Sequence, residues 1–362
     1  MKKTVSLILA AALAALLSAC SGSAASSIVP ATTGSTATST AAGGVDYTTL
    51  DPVELIGADS AGKGAAGQLF GQLVADKVSE ITGGQLTISY HSNGEMGSDE
   101  ELLSQLQSDD IQLLVSQPAT TISYVPENAV FDLPMAFTSY SGDAIDAVLN
   151  GDTDFRAALS TAYENAGFHL LGFLQNGTYR LTTADKDLST LADFQGLRIR
   201  TMDNVNHMAF WSAIGADPSP VEWSQLYFAL QNDTIEAQEN AADSCASANL
   251  QEVQSYLACT NHLLYCNQIC ISQQAWQSLD PAYQDALVQA VEQAIDDLRP
   301  DLDDMDEQSK QKLVDGGMQL IEYSDDFYNA VLATEGVKEL YAQIDADTNG
   351  LAATLQNDLA NA

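Results

Sequence analysis

The stretch "YRLTTADKDLSTLADFQGLRIRTM" (residues 179–202) holds two short runs, YRLTT and LRIRTM, and each reads as a strand. The link between them, ADKDLSTLADFQG, is rich in turn-forming residues. The chain has five arginines, at 156, 180, 198, 200 and 299, and three of them fall here. That is a concentration, because the chain sets 13 Lys and Arg against 49 Asp and Glu, for a net charge of −36. On a strand, Arg198 and Arg200 share one face while Leu197 and Ile199 share the other. A guanidinium presents a planar fork that matches a carboxylate through two parallel hydrogen bonds. Each hydrogen bond to a charged group contributes about 1.5–3 kcal/mol net. A micromolar site requires about 8 kcal/mol. On pattern alone, surface pairing of these arginines with neighbouring acids is the plainer alternative.

Working outward, VNHMAFWSAIGA (205–216) and EWSQLYFALQND (222–233) have helical spacing, and TIEAQEN (234–240) reads as a strand. Upstream, VELIGAD (53–59) is a strand and GQLFGQLVADKVSEITGG (67–84) a helix that Gly83 and Gly84 stop. QLTISYH (85–91) alternates like a strand. SDEELLSQLQSDD (98–110) opens on the capping-box pair Ser98 and Glu101, and IQLLVSQ (111–117) is an apolar strand. Helices follow in AIDAVLN and FRAALSTAYENAG, then a strand in FHLLGFLQ (168–175). This alternation predicts a parallel α/β layout. Residues 280–317 keep helical periodicity throughout, with a kink expected at Pro300. At about 1.5 Å per residue such a helix outreaches a single domain.

The N-terminus reads as a targeting segment. Lys2 and Lys3 precede an apolar run, Val5 to Leu17, and the sequence Leu17-Ser18-Ala19-Cys20 resembles a bacterial lipobox. The expectation is a signal peptide over 1–19 and a lipidated Cys20. Residues 21–46 are mostly Ser, Ala, Thr and Gly and cannot build a core. Residues 20–46 therefore read as the lipidated cysteine and a flexible tether wandering about 25–30 Å. No later stretch reaches 18 uninterrupted apolar residues. The acidic balance argues against nucleic acid and anionic lipid headgroups as partners. A site for an anion must then be built locally from scarce cations.

Cys245, Cys259, Cys266 and Cys270 lie in a compartment that permits disulfides, and four cysteines leave three pairings open. Four residues along a strand span about 13 Å, so Cys266 and Cys270 do not bridge directly. No CxxC or paired-His spacing suggests zinc, so no metal or cofactor is expected. The chain has no GxSxG, HExxH, GxxxxGK[ST] or GxGxxG motif, and its four histidines are scattered. No catalytic residue is assigned, and the chain is not expected to be an enzyme.

Read as a whole, residues 177–240 resemble the substrate-binding subunits of TRAP transporters, the tripartite ATP-independent periplasmic carriers of the DctP type. The resemblance rests on YRLTT, LADFQGLRIRTM, GADPSPVEWSQLYFALQ and IEAQEN in that order and spacing. GEMGSDEELLSQLQSDDIQLLVSQ, VPENAVFDLPMAF, YLACTNHL and SQQAWQSLDPAYQDALVQA extend it over roughly 50–325. It implies a two-lobed, periplasmic-binding-protein-like α/β fold with hinge-crossing strands and a long C-terminal helix spanning both lobes. Residues 47–177 plus 266–305 would form lobe I, and 178–265 plus 306–362 lobe II. It implies a carboxylate-binding Arg200, a supporting Arg180, a polar contact at Asn240 and an aromatic, Trp223, over the ligand. Gln117 and Ser60 carry over as further contacts. Arg198 falls where the family usually has Lys and reads as a solvated or structural charge. Glu236 and Ala237 stand where the family has Asp-Gly, and Ala237 lacks the backbone latitude of a glycine.

The resemblance implies an extracytoplasmic solute receptor, a lipid-anchored monomer on the outer face of the cytoplasmic membrane. It would hold a small organic acid between its lobes and deliver it to an ion-gradient-driven TRAP permease. A dicarboxylate, a sugar acid and a 2-oxo acid all stay open as ligand. A ligand-sensing lipoprotein serving a signalling receptor is one alternative. A cell-surface hydrolase is another, though no nucleophile–base pair speaks for it.

Overall fold

The structure is a computed structural model that describes residues 44–362. The expected signal peptide, Cys20 and all but the end of the tether lie outside the described residues. Two mixed sheets carry the fold, and the chain crosses between them three times.

The first sheet begins with β1 (Val53–Ala58), α1 (Ala66–Thr82), β2 (Leu86–His91), α2 (Asp99–Ser108) and β3 (Leu113–Ser116). A single turn, α3 (Pro118–Thr121), then α4 (Gly142–Asn150) and α5 (Asp154–Asn165), lead to β4 (Phe168–Leu174). Local chemistry accounts for the boundaries. Gly83 ends α1 at φ 61°, the left-handed region where a Cβ is costly. Ser98 and Glu101 form the reciprocal cap on α2. α1 lies so close to β2 that a Cβ on Gly71 would sit 1.9 Å from the Tyr90 hydroxyl oxygen.

The second sheet takes β5 (Leu181–Ala184), β6 (Arg198–Thr201), α6 (Val205–Ala213) and β7 (Asp217–Pro220). α7 (Trp223–Gln231), β8 (Ala237–Asn240), α8 (Ala242–Ser247) and β9 (Tyr256–Ala258) follow. The chain then returns to the first sheet through β10 (Asn267–Ser272), α9 (Gln273–Ser278) and α10 (Pro281–Leu298). α11 (Leu302–Asp315) and β11 (Gln319–Ile321) rejoin the second sheet. α12 (Asp325–Ala333), α13 (Glu335–Asp347) and α14 (Leu351–Asn361) close the chain. The strand orders are β2-β1-β3-β10-β4 and β11-β9-β5-β8-β6-β7.

The parallel layout expected from β/α alternation holds for β2, β1 and β3 but not for the whole sheet. β10 runs antiparallel to both of its neighbours, β3 and β4. The reason is its route: β10 arrives from the second sheet, alongside the outgoing chain that runs the other way. The two crossings pair through Arg180 N to Leu263 O at 2.9 Å and Tyr265 N to Thr178 O at 2.9 Å. The third crossing is the long C-terminal helix. Arg299–Asp301, around Pro300, form a single tighter 3₁₀ turn between α10 and α11. α10 packs on α1 beside the first sheet, and α11 packs on α8 beside the second.

Strand alternation sorts the cores. Leu113, Val115, Ile269 and Ile271 face α1 and α10, joining Phe70, Val74 and Leu287. Leu114 and Cys270 face the other way, into a core containing Phe131, Phe155, Trp211 and Ile344. Each fully buried apolar side chain contributes about 1.5–3 kcal/mol. α14 packs on α4 and α5, and Asp358 accepts the Phe155 amide at 2.9 Å. Cys245, Cys259, Cys266 and Cys270 are buried free thiols. Burial pushes the Cys245 and Cys270 thiols up to about 12 and Cys259 to about 11.

Candidate functional site

β1 and β3 run parallel, as do β6 and β8. In α/β folds the crevice outside the carboxyl ends of such strands is where ligands bind. The carboxyl end of β1 leads into Ser60, β3 into Gln117, β6 carries Arg200 and β8 ends at Asn240. These residues and Trp223, the first residue of α7, line one cavity that opens to solvent. Its mouth is a wider cleft that shares Asp99, Thr120, Arg200, Met202 and Trp223 with it.

Arg200 is 3% exposed. Its Nε donates to Val221 O at 2.7 Å, and its guanidinium stands 5.8 Å from the centre of the Trp223 ring. Its Nη1 is buried and has no hydrogen-bond partner. Burial, only partly offset by Glu239, pushes its pKa down to about 10, so it stays charged at neutral pH. A buried charged donor left unpaired is costly, and such a donor calls for a partner.

Other side chains are held ready around it. Asn240 Oδ1 accepts the Ala241 amide at 2.9 Å, which orients the side chain. Ser60 Oγ donates to Asp99 Oδ1 at 2.5 Å. The loop carrying Ser60 is fixed by buried Asp59, which accepts from Tyr90 Oη at 2.5 Å and from Ala61 N at 2.8 Å. Burial raises the Asp59 carboxyl to about 6.

Arg180 is placed differently. It is 2% exposed and does not line this cavity. Its Nε and Nη2 donate to the Glu239 carboxylate and its Nη1 to Gln117 Oε1. Gln117 is thereby oriented with its carbonyl committed, leaving the donor half of its amide for the cavity.

Glu239 is the centre of a buried ionic cluster. His207 Nδ1 lies 3.2 Å from Glu239 Oε1, and its Nε2 lies 3.0 Å from Asp132 Oδ1. Carboxylates only accept, so both ring nitrogens carry protons and His207 is an imidazolium. Burial works against that charge, but Glu239 and Asp132 raise the pKa to about 9. His262 Nε2 donates to Glu239 Oε2 at 3.2 Å, and its Nδ1 meets Thr260 Oγ1 at 3.0 Å. Burial holds His262 neutral, below its usual value. Despite burial, Arg180 and His207 hold Glu239 well below the usual carboxylate range. Asp132 also accepts from Asn204 at 2.9 Å and Asn206 at 3.0 Å, and Asn204 donates to Ala119 O at 3.0 Å. The cluster thus ties the segments after β3 to α6 and β8.

Of the six expected contact residues, five, Ser60, Gln117, Arg200, Trp223 and Asn240, share the cavity wall. Arg198, at the exposed start of β6, pairs with Glu236 at 3.2 Å and donates to Asp233 O and Thr234 O. Sequence reading missed Asp99, Thr120, Ser244, Tyr265 and Asn267 in the wall. Asp99 was visible only as the first residue of a capped helix. Asn267 carried no signal of its own, since its strand also holds the polar Gln268 and Ser272.

A two-lobed α/β protein with a water-accessible crevice between strand ends, one buried arginine in its wall, has the form of a solute receptor. Residues 62–347 match the family of bacterial extracellular solute-binding proteins, family 7, also known as DctP. The chain belongs to that family, the solute-binding subunits of TRAP transporters, which act outside the cytoplasm and are receptors by class. It is 25% identical over 225 residues to the sialic acid-binding periplasmic protein SiaP of Vibrio cholerae, covering 62% of this chain and 69% of SiaP. It is 26% identical over 243 residues to the 2,3-diketo-L-gulonate-binding periplasmic protein YiaO of Escherichia coli, covering 67% and 71%. Its fold is that of the sugar acid binding protein DctPAm of Advenella mimigardefordensis, solved in complex with galactonate. That match has a TM-score of 0.79 at 22% identity over 86% of this chain and 99% of the other.

Proposed function

We propose that this receptor binds a small organic acid in the cavity between its lobes, with Arg200 holding the ligand carboxylate. The observation that carries the reading is the buried, unpartnered Nη1 of a charged arginine in the cavity wall. A carboxylate there would gain charge-assisted hydrogen bonds of about 1.5–3 kcal/mol each. Trp223 would cover the ligand, and Asn240, Gln117 and Ser60 would contact its polar groups. Arg180 acts through Gln117, which it orients. SiaP, YiaO and DctPAm carry acids in their names or bound ligand, and this likeness supports the class.

The two lobes are built on the two sheets, except that α14, expected in lobe II with the rest of 306–362, packs on α4 and α5 and goes with lobe I. The protein is a monomer anchored through Cys20 and hands its ligand to a TRAP permease. The test is thermal unfolding with sugar acids, C4-dicarboxylates and 2-oxo acids, in the protein and in Arg200→Ala. A ligand at about 100 times its Kd adds about 2.7 kcal/mol of stability. At least one acid should stabilise the protein and fail to stabilise Arg200→Ala. Stabilisation by none, or equal stabilisation of the variant, contradicts the reading.

A further inference from the structure

Resting on that reading, we infer that the ligand carries a single carboxylate on a neutral, hydroxyl-bearing body, and that Asp99 turns a second carboxylate away. The charges in the cavity wall carry the inference. Among the described residues lining the inner cavity, Arg200 is the one cationic side chain and Asp99 the one anionic side chain. Arg180, the other buried arginine nearby, is closed to a ligand because Glu239 and Gln117 occupy its donors. A second ligand carboxylate therefore finds no free cation within the wall.

It finds an acid instead. Asp99 Oδ1 already accepts from Ser60 Oγ, and a carboxylate has only acceptor positions to offer. Such a group receives a ligand hydroxyl and repels a ligand carboxylate. The rest of the polar wall is neutral: Gln117, Thr120, Ser244, Tyr265 and Asn267 offer amides and hydroxyls. Between them these groups supply both donors, such as the Gln117 amide N–H, and acceptors, such as the Thr120 hydroxyl oxygen, which sugar hydroxyls can match. The mouth adds Glu100, Asp203 and Glu222 to Asp99, against Arg200 alone. A dianion must therefore enter past four carboxylates and be held by one guanidinium.

The test compares pairs of acids that differ at one end. Aldonic acids of four to six carbons are titrated calorimetrically beside the aldaric acids of the same skeletons, which replace the terminal alcohol by a carboxylate. Succinate is added, and the protein is compared with Asp99→Asn and Arg200→Ala. The best aldonate should bind at least about tenfold more tightly than its aldarate and than succinate. The ratio should fall in Asp99→Asn, and Arg200→Ala should lose both ligands. An aldarate or succinate that binds as tightly as the best aldonate overturns the inference while leaving the organic-acid reading intact. An unchanged ratio in Asp99→Asn overturns the role given to Asp99. Folded protein that binds none of these acids rejects the inference, and failure with 2-oxo acids as well would reject the organic-acid reading beneath it.

Discussion

Arg180 and Arg200 are both buried, both charged and twenty residues apart, yet they stand in opposite situations. Arg180 donates to Glu239 and Gln117 inside a closed ionic cluster. Arg200 has one backbone partner, one aromatic neighbour and one orphaned nitrogen at the edge of a cavity. Burial disfavours both charges. At Arg180 the neighbouring carboxylate more than offsets this, and the pKa rises. At Arg200 it does not, and the pKa falls to about 10. A satisfied buried charge organises structure, while an unsatisfied one at a cavity is available for a ligand.

The largest effect on stability is expected at the centre of the cluster. Glu239→Gln removes the charge that compensates Arg180 and His207 and should cost about 3–5 kcal/mol, read by denaturant unfolding. A loss under about 1 kcal/mol would mean that Arg180 does not depend on Glu239, and the contrast with Arg200 would collapse.

A smaller effect, about 1–3 kcal/mol at neutral pH, is expected for His207→Gln, since Asp132 keeps Asn204 and Asn206 and Glu239 keeps Arg180. Its pH dependence sharpens the comparison. The folded-state pKa of His207 is raised to about 9, above an unfolded value near 6.5. Its contribution is therefore complete below about pH 6.5 and is lost as pH rises through about 9. Wild type should lose stability over that window and His207→Gln should lose less. Parallel curves would show that His207 is neutral in the folded protein.

The sequence made the two regions legible to different degrees. The β/α alternation from Val53 to Ser116, the cap on α2 and the break at Pro300 are local events with local signals, and they stand as read. The reversed direction of β10 depends on which sheet the chain has just left, and no local pattern carries that. β9 and β11 have three residues each, too few for a period. In the site, Arg200 and Asn240 were found because they sit in motifs of fixed order. Glu239 is the neighbour of Asn240, and strand alternation sends the two side chains opposite ways, one to the cluster and one to the cavity. Its partners come from Arg180, His207 and His262, tens of residues off in either direction. That is why Arg180 could be read as a ligand contact although the fold commits it elsewhere.

The most direct test is a crystal structure of the protein with a bound acid. The carboxylate should lie within hydrogen-bonding distance of Arg200 Nη1, with Arg180 still on Glu239 and Gln117. A carboxylate held by Arg180, with Glu239 displaced and Arg200 still unpartnered, would contradict the account.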